Sequence, residues 1–168
     1  MGCINMILMD TCAIIWDALE ASKLSDKAFS AIEKADEHNA LIISDISIWE
    51  ISMLIKKKRL KVDSTATAFL NLFLQSRNVS VQSISPEIAE LSVNFDHNIN
   101  NDPVDRIIAA TSIICNAQLV QRIKIFLQAN YLILFGKHNA KLSGSKKQSD
   151  EARGTALFAV RWSYLLEI

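Results

Sequence analysis

Between Cys3 and Phe135 the chain contains no glycine; its four glycines are Gly2, Gly136, Gly144 and Gly154. A P-loop cradles phosphate on glycine backbone, and the dinucleotide-binding turn needs glycine for close approach. Neither can lie in that stretch, so any chemistry there must come from side chains.

The same stretch alternates short apolar runs with amphipathic ones. Residues 6–9 (MILM), 40–43 (ALII) and 117–120 (AQLV) read as buried strands, and 79–84 (VSVQSI) alternates as a further one. Helical spacing covers 13–19, 25–37, about 46–55, 63–77, 85–95 and 102–115. Two of these starts are explicit: Ser85-Pro86 and Asp102-Pro103 each put a capping side chain before a proline at the first helical position. No tight hairpin turn joins the strands, which suits parallel crossovers. The expected fold is α/β, three layers with a mainly parallel sheet flanked by helices, and 168 residues make one domain with a substantial core.

Bulk composition excludes more than it assigns. Eighteen basic and eighteen acidic residues cancel, so no global field draws in a polyanion, although a local patch can. Cys3, Cys12 and Cys115 show no metal-site spacing, which points to reduced thiols and a cytoplasmic location. Met6 stands where a myristoylation signal needs Ser or Thr. The run from Ile123 to Phe135 is too short to span a bilayer and includes Lys124 and Gln128, so no membrane association is expected.

Four acids stand out, and each has a structural explanation. Asp10 can cap the helix after the first strand, and Asp102 the helix at 102–115. Glu50 lies three residues after Ser47, a capping-box spacing. Asp105 complements a helix dipole. Yet from Ile46 to Ile55 the only polar side chains are Ser47, Glu50 and Ser52, and a carboxylate on so apolar a helix is costly unless something pairs with it. In parallel sheets functional groups collect at the carboxyl ends of the strands. Asp10, Glu50 and Asp105 all fall toward that edge, and clustered hard oxygen ligands select magnesium or manganese. The run Lys56, Lys57, Lys58, Arg59, Lys61 closes a helix and reads first as its solvated end, with RNA contact as the lesser reading. His97 sits in a polar loop and is expected to face solvent.

Three segments, LMDTCAIIW (8–16), SDISIWEISMLIKKKRL (44–60) and NDPVDRIIAAT (101–111), in this order and spacing, resemble the PIN-domain family, specifically the VapC-type toxins of bacterial toxin–antitoxin pairs. The resemblance covers residues 6–120. It implies a PIN-like fold, an endoribonuclease that uses Mg2+ or Mn2+, RNA as substrate, a cognate antitoxin as partner and a homodimer formed through the PIN domain. Carried over, it makes Asp10, Glu50 and Asp105 the metal-binding and catalytic acids, with Thr11 and Asp102 beside them as supporting residues.

The family continues after the fourth strand with a Thr-x-Asp-x-Asn-Leu segment that carries a fourth acid. Here Val120 is followed by QRIKIFLQANYLILFG, and the next acid is Asp150. Codons that encode this run can be chosen so that reading two bases later gives KDKNLLASKLFDTFW, which is similar to a family C-terminus. Residues 121–168 are therefore expected to be an out-of-frame tail. Two other functions compete: a catalytically inactive remnant that only binds antitoxin or dimerises, and a phosphoacceptor receiver domain. The receiver class wants adjacent acids after the first strand, where Met9-Asp10-Thr11 supplies one.

Overall fold

A computed structural model describes residues 6–95 and 102–121, together with the backbone of 124–126. In chain order the elements are β1 (Ile7–Met9), α1 (Thr11–Leu19), a 3-10 turn (Ala21–Lys23), α2 (Asp26–Glu37), β2 (Leu41–Ser44), α3 (Asp45–Lys56), α4 (Ala66–Ser76), β3 (Val79–Gln82), α5 (Pro86–Val93), α6 (Pro103–Ile114), β4 (Gln118–Gln121) and β5 (Lys124–Phe126). The strands lie in the order β3-β2-β1-β4-β5. The first four named are mutually parallel, and β5 pairs antiparallel to β4. The expected α/β architecture is present. The edge position beside β4 is filled, but by a strand running in the reverse direction.

Strand period explains the layers, because alternate residues face opposite sides of a sheet. Ile7, Met9, Leu41, Ile43 and Val120 join one core with Ile14, Ile32, Ile51, Phe69 and Phe73 from the helices. Leu8, Ile42 and Leu119 point the other way, onto Val104 and Ile108 of α6. Ile51 and Leu54 of α3 belong to the first core, while Ile46 at its head packs on the second. So α3 stands astride the sheet end where β2 stops. Side chains such as Leu8, Ile14 and Ile43 are fully buried, each contributing about 1.5–3 kcal/mol.

With no glycine available, three helices close on other residues in the left-handed region: Asn39 after α2 (φ 53°), Lys58 after α3 (φ 57°) and Asn116 after α6 (φ 53°). The hydrogen bonds are of the Schellman type, from Ala40 N to Ala35 O, Arg59 N to Leu54 O and Ala117 N to Ser112 O, at 2.8, 3.0 and 2.9 Å. Asparagine tolerates this conformation; lysine gains nothing locally from it.

Arg77, between α4 and β3, ties distant elements together. Its guanidinium takes Asp17 of α1 with two hydrogen bonds (3.0 and 2.7 Å), and Glu33 and Asp36 of α2 at 2.6 and 3.1 Å. Burial alone would lower its pKa, but these hydrogen bonds outweigh it and hold the guanidinium above its ordinary value.

Several boundaries differ from the sequence reading. Strand β3 stops at Gln82 rather than residue 84, and α4 starts at Ala66 under a Thr65 cap rather than at Asp63. His97 and residues 127–168, most of the tail expected to be out of frame, lie outside the described residues.

Candidate active site

Asp10 ends the first strand and caps α1: its backbone N–H donates to Val120 O at 3.0 Å, and its Oδ1 accepts from Ala13 N at 2.6 Å. The capping explanation is therefore correct for Asp10. It does not dispose of the residue, because a cap normally faces solvent and this carboxylate is 2 % exposed.

Glu50 is a different case. Helix α3 begins at Asp45, with Ser44 at the N-cap position. Ser47 is thus inside the helix, and the capping-box explanation of Glu50 fails. Instead Glu50 is 4 % exposed, and its Oε2 accepts a hydrogen bond from Thr11 Oγ1 at 2.5 Å. That contact links the first residue of α1 to the second turn of α3. Nearby on the chain, Ser44 and Ser47 bury hydroxyls that have no hydrogen-bond partner among the described residues. Ser44 does not cap its own helix, despite being a favoured capping residue.

Asp102 caps α6 through Val104 N at 3.0 Å, and Asp105 sits in the first turn. Both are buried. Helix α6 runs back toward the start of β4, so its head lies at the carboxyl edge of the parallel strands. It is held there by Val104, which packs among Leu8 and Ile42, and by Arg106. The Arg106 guanidinium donates to Ser92 O at 2.7 Å and Phe95 O at 2.5 Å, and lies over the Phe95 ring. It thereby satisfies carbonyls at the C-terminus of α5.

By the topology, α1, α3 and α6 all begin toward the carboxyl edge of the parallel strands, with Asp10 capping the first, Glu50 in the second turn of the next and Asp105 in the first turn of the last. The chemistry of these three acids, oxygen-only, acidic and buried, fits a hard divalent cation. Among the described residues no group of three or more His, Cys, Asp or Glu is set to hold a metal ion. Thr11 is the residue whose part sequence alone leaves vague, since its partner is 39 positions away. Among the described residues no helix is long and apolar enough to cross a membrane.

The PIN domain family model matches residues 7–124. The chain is also 31% identical to Ribonuclease VapC22 of Mycobacterium tuberculosis over 107 residues, 64% of this chain and 78% of that protein.

Proposed function

Because the chain belongs to the PIN-domain family, among its VapC-type toxins, we propose that it is a divalent-metal-dependent endoribonuclease restrained by a cognate protein antitoxin. The observation that carries this reading is the burial of Asp10, Glu50 and Asp105, at 2 %, 4 % and 5 % exposure, at or near the starts of helices that follow the carboxyl edge of the sheet. These residues would hold Mg2+ or Mn2+, which when bound supplies Lewis-acid polarisation of a phosphoryl oxygen and a water acidic enough to attack phosphorus. The protein's own part is orientation. The Ala13 amide fixes one oxygen of Asp10, and the Thr11 hydroxyl fixes one of Glu50. Asp102, as the cap, sets the start of α6 and so the direction of Asp105. The site works in the cytoplasm, as a homodimer formed through the PIN domain. An antitoxin segment would pack along half-buried Trp16 and exposed Trp49 and place a basic residue among the acids.

A second reading is favoured by one observation: between Val120 and Asp150 there is no Asp or Glu. Without a fourth acid, metal affinity and cleavage are weakened, and the limiting case is an inactive remnant that only binds antitoxin or dimerises. An out-of-frame tail from about Gln121 accounts for the loss. The deciding experiment compares Mg2+-dependent RNA cleavage by this chain, by Asp105→Asn, and by a chain whose frame is restored after Val120. Cleavage by the first that disappears in the second supports the nuclease. Cleavage by the restored chain alone supports the remnant. If none cleaves, the nuclease reading is wrong.

A further inference from the structure

Helix α3 carries more than Glu50. Five cations fall within positions 56–61: Lys56, Lys57, Lys58, Arg59 and Lys61. Among the described residues none of the five forms an ion pair, unlike Lys23 and Arg77. The helix dipole explains a cation or two in the last turn. It does not explain Lys58, which occupies a left-handed position that glycine would take without strain, nor Lys61, which lies beyond the turn.

The approach to these cations is as informative. Trp49 of α3 is a large apolar side chain left 55 % exposed. Lys56 stands seven residues after it, and residues seven apart share a helix face. The exposed indole therefore begins a row that ends about 10 Å along the helix in Lys56, with the exposed Lys57 following as the C-cap. An aromatic face beside a row of solvated cations is the arrangement that binds single-stranded nucleic acid: bases stack on the ring and phosphates follow the charges.

Resting on the nuclease reading above, we infer that the exposed face of α3 is a single-stranded RNA track, with Trp49 stacking a base and Lys56, Lys57, Lys58 and Lys61 taking backbone phosphates, which leads the strand to Glu50. The track reads no sequence. It makes substrate binding steeply dependent on salt and selective for unpaired RNA.

The test is binding of a fluorescent, unstructured RNA oligonucleotide to the full chain in EDTA, followed by anisotropy across a salt titration. The Lys56→Ala/Lys57→Ala/Lys58→Ala variant is expected to lower the log–log salt slope by about 2, at roughly 0.7 per phosphate contact on a single strand. The corresponding triple arginine variant should keep the wild-type slope. Trp49→Ala should weaken single-strand binding between about fivefold and a hundredfold with the slope unchanged, the range for one base–aromatic stack, and should leave duplex RNA binding as it was. An unchanged slope and affinity in the triple alanine variant overturns the track. So does a triple variant that keeps its RNA affinity but no longer retains polyglutamate, since the patch would then serve an acidic protein. Lysine- and tryptophan-dependent binding by a chain that never cleaves supports the track while overturning the nuclease. Cleavage with lysine-independent binding does the reverse.

Discussion

Arg77 and Asp17 form a two-pronged ion pair across 60 residues of chain, with the Asp17 side chain only 2 % exposed. Removing one partner strands the other's charge out of water, which costs about 3–5 kcal/mol for a buried pair. Arg77→Met should therefore lower the urea midpoint sharply, and adding Asp17→Leu should recover much of the loss. If the double variant is less stable than the single one, the pair contributes more than the avoidance of a stranded carboxylate.

Thr11 holds Glu50, and the two effects of losing it separate. Thr11→Val keeps the shape but removes the donor, costing about 1–3 kcal/mol in thermal unfolding and lowering RNA cleavage. Thr11→Ser restores the hydroxyl and should restore both. Equal cleavage by the valine and serine variants would mean that Glu50 needs no such anchor.

Lys58 is a site where the protein can be made more stable. Replacing a left-handed non-glycine residue with glycine relieves about 1 kcal/mol, so Lys58→Gly should raise the denaturant midpoint. A lower midpoint would show that the lysine stem packs usefully against α3.

Magnesium should stabilise the folded chain, because a ligand that binds only the native state adds RT ln(1 + [L]/Kd), about 2.7 kcal/mol at a hundredfold excess over Kd. Asp105→Asn should abolish this response in calorimetry. The same magnesium response in wild type and variant would remove Asp105 from the metal site.

Burial pushes the Cys115 thiol above its ordinary range. A raised folded pKa means that its contribution to stability is complete below the unfolded value, near 9, and is lost as pH rises through the folded one. Wild type should therefore show a decline in melting temperature above about pH 9 that Cys115→Ser lacks. Parallel curves for the two would dissociate the thiol from alkaline unfolding.

What could be read without coordinates followed the range of the interactions. Asp10, Asp102 and Ser85 cap the helices that their local sequence announces, since capping involves residues two or three apart. The continuous apolar runs at 6–9 and 40–43 revealed strands buried on both faces and hence the layers. The capping-box explanation of Glu50 fails because Ser47-x-x-Glu50 satisfies a local rule, while the true helix start, three residues earlier, depends on where β2 ends. The grip of Arg77 on α1 and α2, and that of Thr11 on Glu50, join residues 39 to 60 apart, and no local pattern encodes them. The helix ends were hidden for another reason: Asn39, Lys58 and Asn116 do a glycine's work.

The reversal of β5 bears on charge balance at the sheet edge. Met9 pairs with Val120, so Gln121 stands level with Asp10; Gln121 in turn pairs with Lys124. Where the chain recrosses this rim, the two register positions are held by an amide-bearing and an amine-bearing residue, and β5 then heads toward the opposite rim. Neither position adds negative charge. A divalent ion seated among Asp10, Glu50 and Asp105 would form a complex of net charge −1, against −2 with a fourth carboxylate. Ligand charge is a principal control on affinity for such ions, so occupancy at this rim becomes a matter of how much free magnesium surrounds the protein.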